Sequence, residues 1–256
     1  MADPSDDDVG ACAALVARGD PPRFRAAMAA PLDVRRVLFP IYAFNLEVAR
    51  APWVVSDPML ARIRLQWWRD VLAEIAEGRP VRRHEVATPL GAVLDADAAR
   101  ALDDLVVVRH DDLERAAPAD ADAVVAYADA TAGALLRMAG RLAGGTGDDA
   151  LGLAGRAQGL AGYLSAVPIL RDRGFDPLPP GDMDLTTKAL AEQGLDAARR
   201  ARSLDADARS RAVMLVLPEA AATLRALSKH PAAPVPSEPP LRARLSLAWR
   251  AASGRP

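Results

Sequence analysis

Several side-chain groupings in this sequence have the composition of chemical sites, and spacing decides which of them could work. Gly144-Gly145-Thr146-Gly147 is rich enough in glycine for a phosphate-binding loop. It lacks the following Lys-Ser/Thr that such a loop uses to reach phosphate and metal, so it reads as a turn between helices. Asp6-Asp7-Asp8 and Asp111-Asp112 carry the hard oxygen ligands that divalent cations prefer. The first group lies in an acidic arm, and the second pair is adjacent on a helical stretch, where two neighbours cannot both face one ion. Both read as solvated surface. His84, His110 and His230 are too scattered for a histidine-rich metal site, and the single cysteine, Cys12, excludes a disulfide framework or a cysteine-rich zinc module. No dinucleotide fingerprint, nucleophile elbow or zincin helix is present.

Two longer stretches are more informative. The first is YAFNLEVAR at 42–50 followed by IRLQWWRD at 63–70, and the second is GLAGYLSAVPILRDRGFDPLP at 159–179. Trp67 and Trp68 are consecutive, so they cannot share one helix face. The reading favoured here is packing, one ring in the core and one under a neighbouring segment, over ligand contact. Tyr42, Gln66 and Tyr163 pair an apolar or flexible body with a hydrogen-bonding end, which suits a packed wall as well as a site.

The elements that must position these residues are helical. The 256 residues include 56 alanines, the best helix former, against 4% aromatics, and 51% are hydrophobic. Lys+Arg 32 against Asp+Glu 34 gives a net charge of −2, which argues against a nucleic-acid binder. The acidic start is unlike a secretory leader, and no apolar stretch reaches the roughly 18 residues of a membrane span. These features point to a cytoplasmic protein. Helical spacing of apolar residues runs from Pro31 through Arg50 and then over 59–78, with Ser56 or Asp57 as cap. Further helical patterns cover about 86–95, 98–116, 121–143, 149–171, 183–192, 194–229 and 241–252. The organisation expected is an acidic arm and short helix at 1–22, a helical domain at 23–230, a Pro-rich linker at 231–240, and a C-terminal helix and tail at 241–256.

In this order, YAF at 42–44, LQWWRD at 65–70, VVVRHDDLE at 106–114, YADATAGALLRMAG at 127–140, GLAGYLSAVPILRD at 159–172 and the LP before an acidic turn at 178–184 resemble the squalene/phytoene synthase family. The resemblance spans about residues 23–250. It implies the all-α isoprenoid synthase fold, a single-domain helical bundle around a central cavity. It also implies head-to-head joining of two prenyl diphosphates, each clamped through Mg²⁺ between DxxxD motifs on facing helices.

This sequence departs from that clamp. Carboxylates four apart share one helix face and can hold a metal cluster, but the first pair of positions, aligned through YAF, holds Ala49 and Trp53. Asn45 and Glu47 are nearby but on different faces, and Arg50 adds positive charge. The second pair reads two ways. Asp172 and Asp176 have the DxxxD spacing and are the candidate metal ligands, with Arg171 beside them. Yet Gly174 and Pro177 would end the helix there, and Ser165 and Pro168 stand where active members place amides. Alternatively Arg173-Gly174 leads into the LP turn and Asp176 is a loop residue.

Such departures look more like the non-synthase branch that includes the mitochondrial respiratory complex I assembly factor. The expectation is then a degenerate, non-catalytic protein with no cofactor. It would act in respiratory complex assembly with a protein partner, or bind an isoprenoid or lipid, with peripheral contact to the inner face of the membrane left open. The alternative is a Mg²⁺-dependent prenyltransferase of phytoene or squalene synthase type. Tyr42, Asn45, Ala49, Trp53, Gln66, Tyr163, Ser165 and Arg171 are the expected cavity or substrate residues, and Trp53 or Trp67 is expected to narrow the cavity.

Overall fold

Aspartate side chains cap half of the α-helices among the described residues. The computed structural model describes residues 5–55 and 57–232, and the elements found among them are helical. Helix α1 (Asp6–Gly19) is capped by Ser5 and α2 (Pro21–Ala29) by Asp20. Helix α3 (Leu32–Arg50) follows Pro31, and α4 (Pro58–Ala76) is capped by Asp57, with proline in its first turn. After α5 (Ala87–Val93), Asp95 caps α6 (Ala96–Arg109) and Asp120 caps α7 (Ala121–Ala128). A single π turn over Asp129–Gly133 leads into α8 (Ala134–Leu142), followed by the long α9 (Asp148–Asp172). Asp182 caps α10 (Met183–Ser203), Asp207 caps α11 (Ala208–Val213), and α12 (Leu217–Lys229) ends the described chain. Each capping oxygen accepts from amides that a helix start leaves without partners. Other acids are held by arginines: Glu74 by Arg82, Asp103 by Arg69, Asp129 by Arg156, Glu219 by Arg25. Much of the acidic content is therefore structural.

Helix α3 runs through the core. Val34, Leu38, Ile41, Tyr42 and Val48 are essentially inaccessible, and Phe44 on another face meets Trp68 edge-on at 5.3 Å. Each large apolar side chain buried this way stabilises by about 1.5–3 kcal/mol. Trp68 is buried, while Trp67 packs edge-on against it at 4.8 Å, near His84 and under the Arg82 guanidinium. The two indoles divide between core and neighbouring segment, as their adjacency requires.

Helix α9 meets the π turn backbone to backbone. A Cβ at Gly155 would lie 2.4 Å from the Ala132 carbonyl oxygen, and one at Gly159 would lie 2.9 Å from the Ala132 Cβ. Asp129 leaves the turn to accept two bonds from Arg156 at 2.7 and 2.5 Å.

The helix limits differ from the sequence expectation in four places. Asp6-Asp7-Asp8 are not a loose arm but the first turn of α1, where carboxylates favour the helix N-terminus. The helix expected over 98–116 stops at Arg109 and gives way to a 3₁₀ turn at Asp111–Leu113. Gly194 does not break α10; it admits Leu224, whose Cδ1 would lie 2.8 Å from a Cβ there. The helix expected over 194–229 is instead broken after Ser203, where Asp207 opens α11. Ser56, residues 233–240 of the expected Pro-rich linker and all of the expected C-terminal helix and tail at 241–256 fall outside the described residues. No helix among the described residues is long and apolar enough to cross a membrane.

Asp207 also ties the α8–α9 loop to α11. Its carboxylate accepts from Thr146 N at 2.6 Å and Oγ1 at 2.8 Å, and from Ser210 N at 3.0 Å and Oγ at 3.1 Å. Burial opposes its charge, but the backbone and hydroxyl hydrogen bonds of Ser210 and Thr146 hold its pKa below the usual carboxylate range. A lowered carboxylate pKa contributes stability that is fully present above the unfolded value of roughly 3.9 and is lost as pH falls through the folded value. Thermal unfolding followed from neutral pH into acid should therefore show a steeper loss of Tm for the native protein than for Asp207→Asn. Parallel curves would remove this role.

Candidate functional site

A cavity of about 920 Å³ lies between the C-terminal half of α3, the α1–α2 junction, the end of α6, α7 with its π turn, and α9. Small residues leave the space: Ala49 on α3, Ala128 at the end of α7, Ala130 within the π turn, and Gly159, Gly162 and Ala166 on α9. A Cβ built on Gly162 meets nothing within 4 Å. Leu46, Val108, Val124 and Leu170 coat the interior with apolar surface. The volume is at the upper end of the roughly 300–1,000 Å³ of small-molecule sites, and the mixture of apolar wall and few polar groups is typical of them.

Two polar networks are set into the wall. In the first, Arg109 Nη1 donates to the Tyr127 hydroxyl and approaches Asp112 Oδ2 at 3.4 Å, while that hydroxyl lies 2.8 Å from both Asp112 carboxylate oxygens. The Arg109 guanidinium stands 5.2 Å from the Tyr127 ring centre. Burial pushes the Asp112 carboxyl up against the pull of Arg109, and burial raises the Tyr127 phenol as well. Burial works to lower the Arg109 pKa, but the neighbouring Tyr127 and Asp112 outweigh it and raise it. Tyr127 is thus held as a hydrogen-bond donor rather than a phenolate. Tyr163 packs edge-on to Tyr127 at 5.8 Å, donates to the Pro177 carbonyl, and has its own phenol raised by burial.

In the second network, Arg23 donates to Asp20 Oδ2 and to Gln158 Oε1, each at 2.6 Å, joining the α1–α2 junction to α9. The Tyr42 ring lies behind it, 5.5 Å from the guanidinium.

At the other end Trp53 closes the wall. Its amide donates to the Arg50 carbonyl at 2.8 Å, its carbonyl accepts from Arg173 Nη1 at 3.4 Å, and its ring packs 5.6 Å from Phe175 with the Arg115 guanidinium 5.6 Å from its centre.

Of the residues expected at the site, Asn45, Ala49, Trp53 and Tyr163 line the cavity together. The others do not. Tyr42 is buried behind Arg23, its hydroxyl without a hydrogen-bond partner among the described residues. Gln66 is exposed on α4 and donates to Asp70 at 2.8 Å. Ser165 bonds back to the Ala161 carbonyl at 2.7 Å within α9. Arg171 is exposed, reaching Met183 Sδ at 2.8 Å and Asp176 at 4.0 Å. Trp67 is away from the cavity as well.

Sequence reasoning missed the two wall networks. Asp112 was expected on the solvated surface, yet the end of α6 at Arg109 turns it inward, where its side chain is 16% exposed. The signal was present in the strings VVVRHDDLE and YADATAGALLRMAG, which hold Arg109, Asp112 and Tyr127. Their joining in space was not.

The donor set does not fit a Mg²⁺ clamp. Ala49 and Trp53 offer no side-chain oxygen. Asp172 is the last residue of α9 and exposed, and Asp176 lies beyond Gly174 at φ 79°, where its side chain accepts from Leu178 N at 3.4 Å. The two carboxylates therefore do not share a helix face, and neither lines the cavity. Among the described residues no group of three or more His, Cys, Asp or Glu is placed to hold a metal ion.

Comparison with known proteins gives the family. Two crystal structures resemble the fold: a dehydrosqualene synthase in complex with ligand, at 15% identity and TM-score 0.79 over 96% of each chain, and squalene synthase HpnC from Alicyclobacillus acidocaldarius, at 15% identity and TM-score 0.69 over 90% of this chain and 96% of that one. No curated protein matches the sequence. The squalene/phytoene synthase family model, however, matches residues 16–254, nearly the whole length. With an all-helical wall around one large apolar cavity, this chain belongs to the squalene/phytoene synthase family.

Proposed function

We propose that the protein is a non-catalytic member of its family whose cavity holds an isoprenoid or a lipid of similar shape. The observation that carries this reading is the clamp helix: α3 and the turn after it offer a methyl group at Ala49, an indole at Trp53 and a guanidinium at Arg50. Ionising a prenyl diphosphate leaves negative charge on the departing group, and cations held by carboxylates must neutralise it. The positions of α3 and its following turn that line the cavity, Asn45, Leu46, Ala49, Arg50 and Trp53, offer no carboxylate to hold them. The apolar volume itself has been kept, which suits binding without turnover. A role in assembly of a respiratory complex fits the same reading, because it asks for a ligand or partner and no chemistry.

Incubation of the purified protein with Mg²⁺ and farnesyl or geranylgeranyl diphosphate should release no pyrophosphate and form no hydrocarbon. Clear release would overturn the proposal. The retained cavity is also what a Mg²⁺-dependent prenyltransferase needs. That second reading predicts turnover that Asp172→Ala abolishes without unfolding the protein.

A further inference from the structure

We infer that the cavity mouth takes an oxyanionic head group, phosphate or carboxylate, directly on arginine and without a divalent cation. This rests on the reading that the cavity holds an apolar chain and adds the chemistry of its head. Four of the charged residues that line the cavity cancel one another, Arg23 against Asp20 and Arg109 against Asp112. Three remain: Arg50, Arg173 and Asp111, all exposed at the rim. Among the described residues Arg50 makes no ion pair or side-chain hydrogen bond, and Arg173 has only the Trp53 carbonyl at 3.4 Å. One turn before Ala49, Asn45 is 6% exposed and lines the cavity.

The rim therefore holds two guanidinium groups against one carboxylate, with a buried amide below them. Such a rim repels Mg²⁺ and attracts an anion. The planar fork of arginine matches the paired oxygens of phosphate or carboxylate. The fitting ligand is an amphiphile: a chain along the apolar wall between α7 and α9, with its head at Arg50 and Arg173.

Calorimetric titration in EDTA tests this with three probes: farnesyl monophosphate, farnesol and inorganic phosphate. The monophosphate should bind at least tenfold more tightly than farnesol and far more tightly than phosphate alone. Added Mg²⁺ should not strengthen it, and rising salt should weaken it. Arg50→Glu and Arg173→Glu should each weaken the monophosphate at least tenfold while changing farnesol less than threefold, with Tm unchanged because both side chains are exposed. Equal binding of farnesol and monophosphate, or a requirement for Mg²⁺, would overturn the head-group site and leave the apolar cavity reading standing. Phosphate binding as tightly as the monophosphate would show a surface anion site that the chain does not use, and would overturn it too. Failure of both farnesol and the monophosphate to bind would remove the cavity reading itself.

Discussion

Asp112→Ala is expected to destabilise the protein by about 3–5 kcal/mol, the usual loss when one partner of a buried charged pair is removed. In a chain of this length that is a fall in Tm on the order of 10 °C. The substitution leaves the Arg109 guanidinium, 16% exposed, without its carboxylate, and leaves the Tyr127 hydroxyl without its acceptor. Asp112→Asn, which keeps an acceptor but loses the charge, should lie between the two. Replacing the whole network with apolar groups of similar size, Arg109→Met with Asp112→Leu and Tyr127→Phe, should recover most of the loss, since the cost lies in the orphaned groups rather than in the missing bonds. Chemical denaturation of the three variants beside the native protein checks this. An Asp112→Ala loss below about 1 kcal/mol would place the network in the solvent-screened class of surface pairs.

Gly162→Phe is expected to abolish binding of any chain-like ligand, with at least a hundredfold loss of affinity, while leaving Tm unchanged or raised. The wall is open at this residue, where a Cβ meets nothing within 4 Å, so a larger side chain has room on the cavity lining. Replacing a mid-helix glycine also adds helix propensity, about 0.5–1 kcal/mol for alanine and somewhat less for phenylalanine. Gly155 supplies the contrast on the same helix: even Gly155→Ala drives a methyl group into the Ala132 carbonyl and should lower Tm. Titration with farnesyl monophosphate and thermal unfolding of both variants separate a filled cavity from a damaged fold. Unchanged affinity in a folded Gly162→Phe protein would mean that the ligand lies elsewhere.

Much of the architecture was legible in the sequence because its signals are local. Apolar spacing through 32–50 and 59–76, Asp57 as a cap before α4, and proline in the first turn of that helix are each read within a few residues. The break expected between 192 and 194 is absent because Gly194 lets Leu224 close in against a continuous helix, and only the position of Leu224 reveals that. Asp112 misled for a related reason. Two adjacent acids cannot both face one ion, but that does not make both of them solvated, and the inward one is fixed by Tyr127 fifteen residues away. At the site, the absent carboxylates at 49 and 53 could be read directly. Arg23 with Gln158, 135 residues apart, could not, since nothing local in either stretch announces the other.

The contact between α9 and the π turn limits how this molecule can diversify. At Gly155 the facing wall is formed by main-chain atoms, with no side chain to trim or enlarge, so substitution there is closed off to drift. On the proposed reading of the cavity as a chain-binding site, changes in ligand size would come from Gly162, Ala166 and Ala49, where each added carbon would shorten the chain that fits. The fold thus carries a fixed ruler on one side and an adjustable stop on the other.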